Sequence, residues 1–380
     1  MTLLRSTVPV TSDAIRLLSA MGDALGAHPI GFSLRVANVA ANFAVQRGCD
    51  PETLAATYFA AALHEIGSVR IMIPEGTSER ETIIARWDAP PEGARMADAI
   101  SALPHATGDY IRWHRESFDG TGFPDRLRWN GIPHAAMAIN ISRAFVLAIF
   151  AQGRDSSPAE ALFDLFGEAG RTYSTTVVRE LRTFFASAPD RFDAPYESTW
   201  PLTELDGNAL VRSLCTAVDA RSMRTQGRGD RMERAVTEIV KQLGDRAIDV
   251  ASAAFAARLF SLGRLVRDSR VDDFDPLARL GREARAAQAA GAAAIVASAP
   301  DYAAFGPILA ASSEWYDGTG LPRGIHGTAI HPIARVLAVA SAAEDLRHTN
   351  ETPVRITAAA GKQFDPEVVG AYMATLGGKS

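Results

Sequence analysis

The chain has 380 residues, 47% of them hydrophobic and 22% charged, with a formal net charge of -5. That length exceeds one ordinary domain and suits two, each able to bury its own core. No basic stripe or lysine-rich tail is present, which excludes nucleic-acid binding through phosphate neutralisation. Two cysteines, Cys49 and Cys215, make no disulfide framework and fit a reducing compartment. The N-terminus lacks the apolar region of a secretory signal. The apolar run Ala135–Ala151 is broken by Asn140 and Arg143, and the alanine-rich run after Arg285 is too short to cross a bilayer. The expectation is a cytoplasmic protein without a membrane span.

In chain order, residues 12–26 carry apolar side chains at helical spacing, with Ser12 and Asp13 as caps. A second helix is predicted over Ser33–Arg47, closing at Gly48. Asp50-Pro51-Glu52 starts a third, Glu52–Ile66, with proline in the first turn. It is apolar on most sides, so it belongs in the core and delivers His64-Glu65 at its C-terminal end. Pro90-Pro91-Glu92 opens a helix to about Leu103, and another reaches His114. Beyond Ile132-Pro133 come a buried helix over Ala135–Ala151 and one over Gly170–Phe185. Alternation of period two is nearly absent. The expected fold class is all-α.

The second half retraces the first. The stretch His114-Arg-Glu-Ser-Phe-Asp-Gly-Thr-Gly-Phe-Pro124 recurs as Ser312-Ser-Glu-Trp-Tyr-Asp-Gly-Thr-Gly-Leu-Pro322. Gly31, Ser33 and Arg35 pair with Gly227, Gly229 and Arg231, and Asp23 with Asp219. Gly67 pairs with Gly263, and Gly170–Val178 with Gly361–Val369. Ordered matches of Gly, Asp and Pro at a nearly constant offset mean duplication. Ser187–Asp206, rich in Pro and Asp and without periodicity, reads as a linker. The expected division is residues 1–186, a linker over 187–206, and residues 207–380.

These motifs resemble the HD-GYP branch of the HD phosphohydrolases, over roughly residues 15–187 and 207–376. The resemblance rests on Gly31-Phe-Ser-Leu-Arg-Val36, His64-Glu-Ile-Gly67 with Ile73-Pro74, and Ala89-Pro-Pro-Glu-Gly93. It continues through His114-Arg-Glu116, both Asp-Gly-Thr-Gly turns, and the closing segment from Gly361. It implies hydrolysis of cyclic dinucleotides such as cyclic di-GMP at two or three metal ions, which lower the pKa of a shared water. Such a cluster needs several neutral imidazoles and a bridging carboxylate.

Measured against that pattern, the first copy keeps His64, Glu65, His114 and Glu116. Phe32, Ala89, Arg115 and Arg143 stand at four of the family's ligand positions. Arginine cannot bind a metal. Arg115 and Arg143 instead suit an ion-pair network with the surviving carboxylates or an anion contact. The second copy has Arg228, Phe260-Ser261, Ser312-Ser313 and Ser341 at the corresponding places, so it is not expected to be a metal site. The turns at Asp119, Gly120 and Gly122, and at Asp317, Gly318 and Gly320, persist in both copies and read as structural.

Three functions stay open. The first is a catalytically degenerate bacterial signalling protein, with no cofactor, that regulates, binds a ligand or contacts a partner protein. The second is a phosphodiesterase with a reduced site, in which His64, Glu65 and His114, supported by Glu116, hold Mn or Fe. The third is an anion or nucleotide sensor built on Arg115 and Arg143. Signalling proteins, a cyclic dinucleotide, or a second copy of the chain are the expected partners.

Overall fold

The computed structural model describes residues 11–26, 28–71, 77–78, 81, 84–152, 162–163, 165–187, 194–196, 198–202, 206–220, 225–245, 247–265 and 279–377. Among them every regular element is helical. Only the isolated bridges Ala169–Tyr173 and Ala360–Phe364 pair extended backbone. The fold is all-α, in two compact units: the first is Ala14–Gly207, and the second is Asn208–Ser380 together with residues 11–13 at the start of the opening helix.

The first unit contains α1 (Thr11–Leu25), α2 (Phe32–Arg47), α3 (Pro51–Leu63), α4 (Ala89–Asp98), α5 (Thr107–Trp113), α6 (His134–Gln152) and α7 (Thr175–Ser187). Helix α3 is buried without a break from Ala55 to Leu63 and packs against α2, α5 and α6. Asp50 Oδ1 caps it, accepting from the N–H groups of Glu52 (3.1 Å) and Thr53 (3.0 Å). Pro51 follows where no N–H is needed.

Three helices differ from the sequence expectation. Helix α3 stops at Leu63, and a 3-10 turn, Ile66–Arg70, follows, so His64 and Glu65 stand between them rather than inside a helix. The cause is tertiary: Gly67 lies so close to α4 that a Cβ there would be 1.9 Å from the Ala89 carbonyl oxygen. Helix α4 ends at Asp98 instead of near Leu103, because the chain tightens into i→i−3 turns ahead of Pro104. Helix α7 begins at Thr175 rather than Gly170, whose φ of 86° belongs to a turn.

Parts of the expected linker (residues 188–193, 197 and 203–205), and Ile73-Pro74, lie outside the described residues. The described part is tied to the first unit. The Ala194 carbonyl accepts from Asn42 Nδ2 (3.0 Å), the Tyr196 N–H donates to Asn38 Oδ1 (3.1 Å), and Trp200 Nε1 donates to the Ala102 carbonyl (2.9 Å).

The second unit contains α8 (Gly207–Asp219), α9 (Arg228–Leu243), α10 (Val250–Phe260), α11 (Arg279–Ala297), α12 (Gly306–Ala311), α13 (Pro332–Leu346), α14 (Thr352–Ala358) and α15 (Pro366–Gly377). Its local devices repeat those of the first. The Asp23 carboxylate accepts from the N–H groups of Gly31 (2.8 Å) and Ser33 (2.9 Å), and that of Asp219 accepts from Gly229 (2.5 Å). Gly263 approaches the Gln288 carbonyl as Gly67 approaches that of Ala89, again with 1.9 Å left for a Cβ. That contact aligns Gln288 with Ala89.

The repeated turn is built the same way twice. Asp119 Oδ1 accepts from the Thr121 N–H (2.9 Å) and Asp317 Oδ1 from that of Thr319 (2.8 Å). Gly120 and Gly318 have φ of 80° and 84°, in the left-handed region open to glycine. The closing segment holds each turn: the Phe118 N–H donates to Thr172 O (3.1 Å), and that of Tyr316 to Gln363 O (3.2 Å).

Candidate functional site

Three of the four residues surviving from the metal pattern, His64, Glu65 and His114, meet in the first unit, where the end of α3, the end of α5 and the middle of α6 face one another. His64 and Glu65 follow α3, His114 and Arg115 follow α5, and Arg143 projects from α6. With His28, Arg86, Trp87 and Phe123 they line a cavity of about 250 Å³.

Glu65 is its centre. Its Oε1 accepts from Arg115 (2.8 Å) and from Arg143 Nε (3.3 Å). His64 Nε2 lies 3.5 Å from the same oxygen and His28 Nε2 3.6 Å from it. Burial works to raise the Glu65 pKa. Arg115, His28, His64 and Arg143 outweigh it and hold the carboxyl well below its ordinary value. Arg143 falls to about 10, through burial first and the neighbouring Arg115 second, and stays charged at neutral pH.

Both histidines are buried and neutral. His64 Nδ1 donates to the Ala61 carbonyl and His114 Nδ1 to that of Ile111, each at 2.6 Å. A carbonyl only accepts, so in each neutral ring the lone pair is on Nε2. Burial lowers the His64 pKa to about 4 and takes that of His114 well below its ordinary value. His64 Nε2 makes no hydrogen bond, whereas His114 Nε2 accepts from Arg115 Nε at 3.0 Å. The two rings meet edge to face with centroids 5.2 Å apart.

Glu116 does not join them. Its two oxygens accept from the N–H groups of Asp125 (2.7 Å) and Leu127 (3.1 Å), and Glu314 does the same for Arg323 (2.8 Å) and Gly324 (3.0 Å). A carboxylate used identically in a copy with no histidine at the motif positions belongs to the turn, not to a metal. The Asp119 and Asp317 carboxylates are likewise bound within their own turns.

The donors present do not fit a multinuclear metal cluster. Arg115 and Arg143 occupy the bridging carboxylate, and Arg115 also takes the His114 lone pair. Among the described residues no group of three or more His, Cys, Asp or Glu is arranged to hold a metal ion. What the cavity offers is cationic: Arg86, Arg115 and Arg143 against the single carboxylate of Glu65.

The equivalent place in the second unit is filled. Arg228 pairs with Asp345 (2.5 Å), and Asp345 also receives Arg285 (2.9 Å). Arg228 Nη2 reaches Ser341 Oγ at 3.2 Å, joining two of the positions that depart from the family pattern.

Sequence reading brought out five of these cavity residues: His64, Glu65, His114, Arg115 and Arg143 stand at motif positions. It missed Arg86 and Trp87, which precede α4 in a stretch without periodicity. The only signal there was an arginine beside an aromatic residue at a helix start.

A family model described as HD domain matches residues 15–177 and 212–362. The fold is also similar to the crystal structure of a cyclic GMP-AMP-specific phosphodiesterase of V. cholerae. That similarity has a TM-score of 0.70 at 17% identity and covers 97% of each chain. No curated protein sequence matches the chain. No described helix is long and apolar enough to cross a membrane. Two matched stretches spanning most of the chain, each enclosing one copy of the repeat, place it in a family: the chain belongs to the HD-domain family.

Proposed function

We propose that the first unit binds a phosphate of a cyclic dinucleotide or related nucleotide phosphodiester in the Glu65 cavity, as the receptor part of a bacterial signalling protein. The observation that supports this reading is the convergence of Arg115 and Arg143 on one oxygen, Glu65 Oε1. Guanidinium forks that bind a carboxylate oxygen bind a phosphate oxygen equally well, and a phosphodiester presents two. Glu65 then acts as a stand-in anion that the ligand displaces. The occupied state is read by a partner signalling protein or a second copy of the chain in the cytoplasm. Residues 1–186 form the receptor domain and 207–380 its degenerate companion.

A second reading, a metal-dependent phosphodiesterase with a reduced site, is favoured by the family match, by the fold likeness and by the rings. Nδ1–H bonded to a backbone carbonyl is how a metal-ligating histidine is oriented. On this reading His64, Glu65 and His114 would hold Mn or Fe, which would supply Lewis acidity and lower the pKa of a water. Arg115 would first have to leave the His114 lone pair.

Calorimetry with cyclic di-GMP and cyclic GMP-AMP, in EDTA and then in Mn, separates the two, with chromatography of the products. The receptor reading expects binding that survives EDTA, weakens at least about tenfold in Arg143→Ala, and strengthens in Glu65→Gln, where the competing charge is gone. Turnover in Mn that is lost in His64→Ala would establish the phosphodiesterase instead.

A further inference from the structure

Phosphate recognition leaves the aromatic rim of the cavity without a task. Trp87 lies in the 3-10 turn Arg86–Asp88, none of whose residues is buried, and is 45% exposed. Its ring is stacked on Phe123, with centroids 5.4 Å apart and planes 19° from parallel. Both rings line the cavity beside Arg86 and Arg115. A large apolar side chain held flat against a neighbour yet nearly half open to water contributes little to the core, but it presents an ordered π-face.

Two further observations connect this rim to a ligand. The cavity, about 250 Å³, falls below the ~300–1,000 Å³ typical of pockets that enclose a drug-sized ligand. A cavity of that size would not enclose a whole cyclic dinucleotide, so with a phosphate at Arg115 and Arg143 a base would lie toward the rim. The second copy supplies the comparison. By the alignment of Gln288 with Ala89, Trp87 corresponds to Ala286, and Phe123 corresponds to Leu321. The aromatic pair is present where the cavity is open and absent where Arg228, Asp345 and Arg285 fill the space.

Resting on the phosphate-binding reading above, we propose that Trp87, backed by Phe123, is the stacking platform for a nucleobase of the ligand. The site therefore selects base-bearing phosphodiesters over base-free phosphate esters. Bases stack on aromatic side chains through their π-faces, and Arg86, beside the indole, adds charge near the bridging phosphate.

The test titrates the full chain with cyclic di-GMP, and with inorganic phosphate and ribose 5-phosphate as base-free probes, by calorimetry and tryptophan fluorescence. Trp87→Ala is expected to weaken cyclic di-GMP binding about tenfold and leave phosphate binding unchanged. Trp87→Phe, which keeps a π-face, should retain most of the affinity while losing the ligand-induced change in fluorescence. Trp87 is exposed, so both variants should melt like the parent. Unchanged cyclic di-GMP affinity in Trp87→Ala overturns the platform and leaves the anion pocket standing. Equal weakening toward phosphate also overturns it, because Trp87 would then only be shaping the cavity. Failure of the parent chain to bind any of the three probes sinks the phosphate-binding reading, and the platform with it.

Discussion

His64 is neutral at physiological pH because charging it would place an imidazolium in a fully buried site beside Arg143 and Arg115. Its folded pKa of about 4 lies below the ordinary 6.5. Between these values the unfolded chain binds a proton that the folded chain does not. The stability this histidine contributes is therefore fully present above pH 6.5 and is lost as pH falls toward 4. His114 and Glu65, both lowered on folding, act in the same direction, with the Glu65 contribution lost only in the carboxylate range. Urea denaturation should show the protein less stable at pH 5 than at pH 7.5, with about 2 kcal/mol of the loss due to His64. His64→Gln should have a shallower pH slope. Parallel slopes for the two proteins would mean that folding leaves the His64 pKa at its ordinary value.

The repeated turn shows at the level of elements what the duplication kept. Glu116 and Glu314 each gather two backbone N–H groups of the chain beyond the turn, and Asp119 and Asp317 close it from within. The second glycine is the tightest point. A Cβ on Gly122 would lie 2.1 Å from the Ser117 nitrogen, and one on Gly320 2.0 Å from that of Trp315. Backbone cannot yield there as a flexible side chain would. Gly122→Ala and Gly320→Ala should each destabilise their own unit by about 3 kcal/mol or more, read as a lowered thermal midpoint. Tolerance of alanine at both positions would mean that the turn carries no structural burden. Such a turn marks the fold, and its retention says nothing about catalysis.

For the whole molecule the two copies have diverged in what fills one homologous space. The first keeps an open cavity with one carboxylate shared by two guanidiniums. The second keeps the same ratio, Asp345 shared by Arg228 and Arg285, and holds Asp345 below its ordinary pKa: burial opposes this, and Arg228 and Arg285 prevail. Removing one partner from such a buried set is costly, and the cavity lined by Arg285, Ser312 and Ser313 measures only about 10 Å³, too little for a nucleotide ligand. Binding should therefore saturate at one ligand per chain in calorimetry. Asp345→Ala should lower stability while leaving affinity at the first unit unchanged. Two equivalent sites per chain would contradict the assignment of the second copy as closed.

What the sequence determined by itself was whatever depends on short-range pattern. Helical periodicity gave the all-α class, and ordered Gly, Asp and Pro matches gave the tandem repeat. The resemblance to the family pattern implied His64, Glu65, His114, Arg115 and Arg143 as one constellation. Tertiary structure decided what depends on distance between elements. The close packing of Gly67 on α4 ended α3 early and set His64 and Glu65 in a turn. Backbone donors nine and eleven residues beyond Glu116 removed it from the site. Trp87 met Phe123 across 36 positions of chain, a pairing that no local pattern records. Charge and periodicity are written along the chain, whereas the sharing of one carboxylate oxygen by two arginines exists only once three helices have packed.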